Sequence, residues 1–419
     1  MPHHRYLIVG GGMAADAAVR GIRAVDPNGT VGLVSAELDP PYDRPPLTKG
    51  LWKDMEQDRV WRMTADLEVD LLLGRRVIRL DGEDRTATDD KGTVHTWEKL
   101  LLATGGSPRI LPGAPPQVIH FRTWRDYLRV REVAARKKRF AVIGGGFVGS
   151  ELAAALAMNG KEVVMVFPED GIGSKVFPAT HAHFLNDYYR ARGVDVRPRT
   201  EVAVVRRNGD RMLLAVVGPN GENETLRADM VVAGLGITPA TSLAESVGLE
   251  IQDGIVVDGS LRTAHPDIWA AGDVASVWCP PLGRRLRAEH EDQANITGEQ
   301  AGRAMAGEQV YVDHLPFFYS DLFDLSYEAV GVLDPSLEVV EDWAEPGRRG
   351  VLYYTDGGRV RGVLLWNVPR KLREAREIIR KGEPRQAWEW RGAISISAGS
   401  RSLNPTLPAS VPPGHPRRG

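Results

Sequence analysis

Two stretches of the chain repeat one hydrophobic pattern: a short apolar run, a glycine-rich turn and an alanine-rich segment. The first reads YLIVGGGMAADAAVRGIRAV from Tyr6, and the second reads RFAVIGGGFVGSELAAALAMNGKEVVMVFPED from Arg139. An unbroken apolar run predicts a strand buried on both faces, and the alanine-rich segment predicts a helix packed on it. Because a further apolar run follows each helix, the order strand–helix–strand predicts an α/β fold with parallel sheets.

The glycines of the two turns have the spacing of a dinucleotide site. They form Gly10-x-Gly12-x-x-Ala15 and Gly144-x-Gly146-x-x-Gly149. The first glycine makes the turn, the second lets the backbone approach a pyrophosphate at the helix N-terminus, and the small third residue packs helix on strand. One such pattern is weak evidence, since any tight strand–helix turn could carry it. Two copies predict two dinucleotide sites, and flavin plus nicotinamide is the natural pair.

An acidic residue follows the second strand of each repeat. In the first repeat Glu37 could accept hydrogen bonds from ribose hydroxyls, although Ala36 stands at the usual place for the acid. In the second, Glu169 could bind a ribose 2′-hydroxyl and would repel a 2′-phosphate, which predicts a preference for NADH over NADPH. The alternative interpretation of Glu169 is a solvated loop acid.

Two later turns fit the first nucleotide site by their order in the chain. The segment LLLATGGSP leads a strand into Thr104 and Gly105, close to where a cofactor would pass. The segment PDIWAAGDVA ends a strand at Asp273, which could hold a ribityl chain. Each is ordinary turn chemistry when considered alone.

Composition narrows the function classes. The 419 residues include 53 Lys and Arg against 55 Asp and Glu, a net charge of −2 that argues against nucleic acid as the main partner. The single cysteine, Cys279, excludes an intramolecular disulfide, structural or redox-active. We expect no membrane span, no targeting segment, no metal site and a cytoplasmic protein.

A proline-rich arm presents one lysine. The segment VSAELDPPYDRPPLTKGLW carries four prolines between an apolar strand and Lys49. Proline fixes φ and biases the preceding residue toward extended geometry, so the path of this segment is held. A rigid arm that delivers an amine is more than a linker needs.

These motifs together identify a family. The two glycine turns, PYDRPPLTK, LLATGG and AAGD resemble the FAD-dependent pyridine nucleotide reductases that lack a redox disulfide, which include ferredoxin and rubredoxin reductases and apoptosis-inducing factor. In the last third of the chain, FFYSDLFDLSYEAVGVLD and VRGVLLWNVPRKLREAREIIRKGE resemble apoptosis-inducing factor more than the ferredoxin reductases. The likeness covers roughly residues 5–390, and the long C-terminal insertion of apoptosis-inducing factor is absent, which puts its regulatory and DNA-binding activities in doubt.

The resemblance implies two Rossmann-like, glutathione reductase-like nucleotide-binding domains and an α+β C-terminal domain. Residues 1–117 and 241–310 would form the FAD domain, 118–240 the NAD domain and 315–392 the C-terminal domain. The remainder, 395–419, is rich in Pro, Ser and Gly and is predicted to be a disordered tail.

The resemblance also places Lys49 beside the flavin, paired with a glutamate in the first turn of the NAD-domain helix. Glu151 has that position, two residues after Gly149. A fixed cation there would stabilise the negative charge of a reduced flavin, and the glutamate would keep the amine charged and oriented. A structural salt bridge is the alternative for the pair.

Further residues are assigned by position in the family motifs. On the flavin side they are Val77, Arg44, Arg122, Glu289, His290 and Tyr319, and on the NAD side Lys175, Gly236, Glu328 and Asn367. Tyr319 stands where the family usually has tryptophan, so an aromatic face is kept, stacking is weaker and a hydroxyl is added.

Two functions remain open on the sequence. The first is a flavoenzyme in which NADH reduces FAD and the electrons pass to an iron–sulfur protein, a quinone or, slowly, oxygen. The second is a redox sensor like apoptosis-inducing factor, whose NADH-reduced form dimerises or binds a partner. The basic segments ARKKRF and PRKLREAREIIRKG could dock an acidic carrier, but glutamates interleaved in the second favour a solvated helix face.

Overall fold

A parallel sheet forms around the first glycine turn, in the computed structural model that describes residues 1–396. The elements of this part are β1 (His3–Val9), α1 (Met13–Val25), β2 (Val31–Ser35), β3 (Asp70–Leu73), β4 (Val77–Asp81), β5 (Thr86–Asp89) and β6 (Val94–Leu102). The strand order is β3-β2-β1-β6-β5-β4, with the first four strands parallel and β4–β5 an antiparallel addition. The apolar run before Gly10 is therefore the buried centre of a sheet, as its sequence predicts.

A second parallel sheet forms around the second glycine turn. Its part of the chain contains β7 (Gly106–Pro108), β8 (Ile119–His120), α2 (Trp124–Arg136), β9 (Arg139–Ile143), α3 (Phe147–Met158), β10 (Glu162–Val166), α4 (Ala179–Arg190), β11 (Val194–Arg197), β12 (Glu201–Asn208), β13 (Arg211–Val217), β14 (Asn223–Ala228) and β15 (Met230–Ala233). The order is β11-β10-β9-β15-β8, and β12–β14 form a separate antiparallel sheet. Two glycine turns thus open at the carboxyl edges of two parallel sheets.

The chain then returns to the first sheet. The returning elements are β16 (Ile237–Pro239), α5 (Ser242–Ser246), β17 (Ile255–Val256), β18 (Ile268–Ala270), β19 (Ala275–Cys279), β20 (Arg284–Leu286) and α6 (Glu291–Met305). Strand β16 pairs with β7, and β18 lies parallel to β6. The first sheet is therefore discontinuous in sequence.

Small residues let α6 cross α1 at close range. A Cβ on Gly298 or Gly302 would lie 2.3 Å or 2.1 Å from the backbone oxygen of Ala14 or Ala18. Such distances leave no room for a side chain, so the alanine-rich face of α1 and the glycines of α6 are matched surfaces. This crossing fixes α6, whose first residue follows directly on the predicted site residues Glu289 and His290.

The last third of the chain forms an antiparallel sheet with one helix. Its elements are β21 (Phe317–Leu322), β22 (Leu325–Gly331), β23 (Glu338–Glu345), β24 (Arg349–Asp356), β25 (Arg359–Trp366) and α7 (Leu372–Lys381). The strand order is β21-β22-β25-β24-β23. Together the three parts confirm the predicted fold class. Residues 397–419, most of the predicted tail, lie outside the described residues.

One hydrophobic core joins the proline arm, the second sheet and the C-terminal sheet. Leu47 and Trp52 of the arm, Leu152 of α3, and Tyr327 and Trp366 of the C-terminal sheet belong to the same buried cluster. Because close-packed side chains transmit position, the arm is held on both of its neighbours.

None of the helices within residues 1–396 is long and apolar enough to cross a membrane.

Candidate functional site

A single large cleft connects the two glycine turns. Its volume is about 2230 Å³, and it is bounded by both parallel sheets, the proline arm, the start of α6 and strands β21 and β22. The predicted site residues that line it are Gly10, Gly12, Glu37, Arg44, Lys49, Val77, Thr104, Gly105, Arg122, Gly144, Gly146, Glu151, Glu169, Lys175, Gly236, Asp273, Glu289, His290, Tyr319 and Glu328. The structure therefore brings most of the predicted residues into one space.

The first glycine turn leaves the N-terminus of α1 open to this cleft. Gly10 has φ +130°, and a Cβ there would lie 2.0 Å from the backbone oxygen of Ala103. Gly12 precedes α1 without a side-chain cap, and Ala15 is fully buried behind the turn. Free backbone N–H groups and the positive end of the helix dipole at such a terminus favour a phosphate.

The second turn has the same construction. Gly144 has φ +112° and packs on Gly234, while a Cβ on Gly149 would lie 2.0 Å from the oxygen of Gly144. A Cβ on Gly146 would meet no atom within 4 Å, so this residue faces open space. Ala15 and Gly149, the third small residues of the two motifs, act in packing and lie off the cleft surface.

A polar network lines the predicted flavin side. Glu37 accepts hydrogen bonds from Arg44 at 2.5 Å and from the hydroxyl of Tyr42 at 2.7 Å. Arg44 also donates to the backbone oxygen of Arg122 at 3.0 Å, and the Arg122 guanidinium pairs with Asp273 at 2.7 Å. The network holds two guanidinium groups and two carboxylates at the cleft wall.

Sequence reasoning missed Tyr42. It is almost fully buried, burial raises the pKa of its phenol, and its oxygen accepts from the backbone N–H of Trp124 at 2.8 Å. The tyrosine therefore links Glu37 to the start of α2. Its position in PYDRPP, two residues before Arg44, was the available signal.

Three further flavin-side residues lie where the first sheet meets the cleft. Thr104 donates to the backbone oxygen of Ala240 at 2.8 Å, and Gly105 has φ +60°. Val77 begins β4 and is 6% exposed. These residues shape an apolar and backbone-lined wall between the two sheets.

Lys49 and Glu151 form a buried ion pair. The Lys49 Nζ lies 2.7 Å from Glu151 Oε1, with side-chain exposures of 13% and 5%. Ser320 and Thr48 each donate a hydroxyl to the same carboxylate at 2.5 Å. A buried carboxylate with three donors is held in one orientation, because the loss of hydration is offset by charge-assisted hydrogen bonds.

Tyr319 lies against the ammonium of this pair. The Lys49 Nζ is 5.2 Å from the centroid of the tyrosine ring, within cation–π range. The Tyr319 hydroxyl lies 3.4 Å from a carboxylate oxygen of Glu291. Burial raises the pKa of Tyr319 and also that of Glu291, so the phenol stays protonated at neutral pH.

The start of α6 places a neutral histidine in the cleft. The His290 ring stacks on Phe318 with centroids 4.4 Å apart, and burial lowers its pKa to about 4. The preceding residue, Glu289, is exposed and pairs with Arg287 at 2.7 Å. His290 thus offers a flat, uncharged face, whereas Glu289 contributes charge at the rim.

The predicted NAD side carries one pair of opposite charges and one solitary acid. Glu169 lies 3.0 Å from the Nζ of Lys175, which is 77% exposed. Glu328 Oε2 is buried without a hydrogen-bond partner among residues 1–396, and burial raises the pKa of this carboxyl. Gly236, with φ +81°, turns the chain beside them.

Asn367 lies elsewhere. Its amide nitrogen donates to the backbone oxygen of Arg348 at 2.8 Å, and its amide oxygen accepts from the N–H of Ser326 at 2.8 Å. Asn367 has φ +49° and is not among the residues that line the cleft. In this structure the residue closes a turn of the C-terminal sheet.

The cleft fits two dinucleotides. Gly146 leaves room for a close backbone approach, and the solitary oxygen of Glu328 is ready to accept from an amide such as that of nicotinamide. Two open helix N-termini supply two phosphate sites. Within the described part of the chain, no cluster of three or more His, Cys, Asp or Glu side chains could hold a metal ion.

Two helix N-termini that open into one cleft, which a largely buried lysine also lines, are typical of oxidoreductases of the two-dinucleotide class. Residues 4–301 match the family described as pyridine nucleotide-disulphide oxidoreductase, and the chain belongs to this family. Membership implies FAD and NAD(P)H and makes the protein an NAD(P)H-dependent flavoprotein oxidoreductase. The predicted family is confirmed.

Similar proteins include both branches that the sequence resembles. Apoptosis-inducing factor 1, mitochondrial, of Dictyostelium discoideum is 33% identical over 90% of this chain and 78% of its own length, and a matching Drosophila melanogaster protein is longer, with 64% of it covered. The ferredoxin–NAD(+) reductase component of the anthranilate 1,2-dioxygenase system of Burkholderia cepacia is 33% identical over 90% of this chain and 94% of its own.

A solved structure shows the same architecture. The covalent putidaredoxin reductase–putidaredoxin complex aligns with a TM-score of 0.85 and 26% identity, over 92% of this chain and 94% of that chain. The fold class is thus confirmed beyond the family match, which ends at residue 301.

Proposed function

We propose that the protein is an FAD-dependent NADH oxidoreductase that delivers electrons to a separate acceptor. In this reaction the bound flavin would take a hydride from NADH and pass the electrons onward. The observation that carries the proposal is the Lys49–Glu151 ion pair, which is 2.7 Å long, largely buried, and part of the wall of the cleft that both glycine turns line. A fixed positive charge at this point stabilises the negative charge that the reaction adds.

The other residues of the cleft would bind and orient the two dinucleotides. The open ends of α1 and α3 would hold the two pyrophosphates, and Arg44 and Arg122 would lie along the flavin side with Glu37 and Asp273. Glu328 would accept from the nicotinamide amide, and His290 with Tyr319 would supply flat faces that exclude water. Each of these roles uses a group that already lines the cleft.

The coenzyme would be NADH. The Glu169 carboxylate would accept from a ribose 2′-hydroxyl and repel a 2′-phosphate. Lys175 lies 3.0 Å from Glu169 and reduces this repulsion in part, so the preference is a balance of two side chains. Steady-state kcat/KM for the two coenzymes measures that balance, and a higher value for NADPH would refute the assignment.

A small iron–sulfur protein is the acceptor that the comparisons favour. One relative named as a ferredoxin reductase component is matched over 94% of its length, and one structural neighbour is a reductase joined to putidaredoxin. The test is anaerobic: reduce the flavin-loaded protein with NADH, add an oxidised [2Fe–2S] ferredoxin, and follow both spectra. Re-oxidation of the flavin by the ferredoxin supports the proposal; a quinone or oxygen acting faster would replace the ferredoxin as acceptor.

The likeness to apoptosis-inducing factor supports a second candidate, an NADH-responsive sensor. In that case NADH would produce a long-wavelength absorption band that decays slowly in air, together with a change in oligomer size. The same anaerobic mixture, opened to air and run on a sizing column, distinguishes the two. Rapid decay of the band without a size change would exclude the sensor.

A further inference from the structure

Three separate segments of the chain meet at one carboxylate. Glu151 Oε1 accepts from the Lys49 ammonium at 2.7 Å and from the Ser320 hydroxyl at 2.5 Å. Glu151 Oε2 accepts from the Thr48 hydroxyl at 2.5 Å. Thr48 and Lys49 belong to the proline arm, Glu151 to α3 and Ser320 to β21.

The two hydroxyl groups belong to buried residues, so their hydrogen bonds to Glu151 are not surface contacts. Ser320 is 1% exposed, Thr48 is 8% exposed and the Glu151 residue is 5% exposed. A carboxylate removed from water needs several donors to offset its lost hydration, and Lys49 supplies one of the three. Without the hydroxyls, a single ammonium would have to satisfy both carboxylate oxygens, and it would be drawn toward the second one.

Strand β21 carries two neighbouring residues that contact the ion pair. Adjacent residues on a strand point to opposite faces, and here the two neighbours contact different members of the ion pair. Ser320 contacts Glu151, whereas the Tyr319 ring lies 5.2 Å from the Lys49 Nζ. Two consecutive residues of β21 therefore position both the carboxylate that pairs with the ammonium and the aromatic ring that the ammonium faces.

We propose that Ser320 and Thr48 are positioning residues for the reaction of this site: they hold the Glu151 carboxylate so that the Lys49 ammonium keeps one place beside the cofactor. Each hydroxyl donates to the Glu151 carboxylate, so it acts through Glu151 and Lys49. This inference rests on the proposed function, because it assigns the ammonium a part in flavin reduction. It also makes the C-terminal sheet a working part of a site whose nucleotide turns lie in other domains.

The test uses the flavin-loaded protein with Thr48→Val and Ser320→Ala, which remove one hydroxyl each. A hydrogen bond to a charged group contributes about tenfold or more to an equilibrium, so each variant should slow flavin reduction by NADH about tenfold. The apparent Kd for NADH should stay within about twofold, because the loss concerns the reaction and not uniform binding. The midpoint potential of the bound flavin should become more negative, since a less well placed cation stabilises the reduced form less.

Two comparison variants exclude a structural explanation. Thr48→Ser keeps the hydroxyl and should restore the rate. Thr355→Val removes a buried hydroxyl that donates to Glu338 at 3.1 Å in the C-terminal sheet, and it should leave rate and potential unchanged. If Ser320→Ala does not fold, the comparison of Thr48→Val with Thr48→Ser still tests the positioning role of the hydroxyl group.

The outcomes separate the two proposals. Reduction rates and potentials of Thr48→Val and Ser320→Ala equal to those of Thr355→Val would overturn the positioning role. Failure of NADH to reduce even the wild-type flavin would overturn the proposed function. In that event the midpoint potential, measured by chemical reduction without NADH, still tests whether the hydroxyls fix the charge beside the flavin.

Discussion

The Lys49 ammonium and the Glu151 carboxylate are 2.7 Å apart, and neither side chain is more than 13% exposed. An ion pair of this kind is a costly way to stabilise a fold, because both charges lose most of their hydration. Both residues line the cleft onto which α1 and α3 open, which is consistent with an electrostatic part in the reaction.

Lys49→Met should leave FAD bound and slow its reduction. Removing a fixed charge that faces the reacting centre costs on the order of 100-fold in rate, so stopped-flow reduction by NADH should slow by about that factor. Lys371→Met is the control, since Lys371 forms a more exposed pair of the same 2.7 Å length with Glu374, and neither residue lines the cleft. Equal reduction rates in the two variants would remove Lys49 from the mechanism.

Gly146→Ala should weaken NADH binding without harming the fold. The new Cβ would meet no atom within 4 Å, and the residue has φ −80°, which alanine adopts freely, so the free energy of unfolding should change by less than about 0.5 kcal/mol. The same Cβ would stand where a pyrophosphate approaches, so the Kd for NADH should rise about tenfold or more.

Gly149→Ala is the contrasting variant. Its Cβ would lie 2.0 Å from the oxygen of Gly144, so the turn itself must move and stability should fall measurably. Urea denaturation and NADH titration of both variants, side by side, distinguish a binding position from a packing position. NADH affinity unchanged in Gly146→Ala would show that the coenzyme does not pass over this turn.

Glu169→Gln should shift the coenzyme preference toward NADPH. Loss of the carboxylate removes a like-charge contact with a 2′-phosphate and leaves Lys175 available to it, so the NADPH-to-NADH ratio of kcat/KM should rise about tenfold or more. Asp170→Asn, which alters the adjacent acid that pairs with Arg199 at 3.3 Å, should leave the ratio unchanged. A parallel change with both coenzymes would contradict the role of Glu169.

His181→Phe should reduce the acid sensitivity of the fold. His181 is 3% exposed and stacks on Trp343 and Phe184, with ring centroids 5.4 Å and 5.7 Å apart. Burial lowers its pKa to about 4, so between pH 6.5 and 4 the unfolded chain binds a proton that the folded chain refuses. The stability that the neutral histidine contributes is therefore present above pH 6.5 and lost as pH falls toward 4.

The measurement is urea denaturation from pH 7 down to pH 4.5. Relative to wild type, His181→Phe should gain stability as the pH falls, approaching about 3 kcal/mol at the acid end. His183→Gln, which changes a half-exposed histidine of the same helix, is the control. A constant difference between wild type and His181→Phe at all pH values would rule out the titration of His181.

The sequence predicts backbone-determined features well. Gly10 and Gly144 adopt positive φ and contact a neighbouring backbone, so few other residues fit at these positions. The glycine pattern can therefore be recognised from one sequence alone. The pairing of Lys49 with Glu151 followed from family resemblance, and the structure brings the two together. Asn367 shows the limit of resemblance, because nothing in LLWN reveals that its amide is occupied by Ser326 and Arg348.

The two hydroxyl groups that donate to Glu151 could not be predicted from the sequence, for a physical reason. Thr48 is 103 residues from Glu151 and Ser320 is 169 residues from it, so no local spacing connects them. Serine and threonine occur in every kind of environment, and only the folded geometry shows which ones face a buried charge.

The meeting of three distant segments at Glu151 has a consequence for biosynthesis. A nascent chain that has emerged only as far as the second sheet already contains both glycine turns, but its inner carboxylate still lacks the hydroxyl supplied by β21. Contacts of such long sequence separation form late, after the loops between them have closed. Unfinished or truncated polypeptides would therefore lack one of the three donors to a buried carboxylate, so the ion pair reaches its final geometry only when the C-terminal sheet is in place.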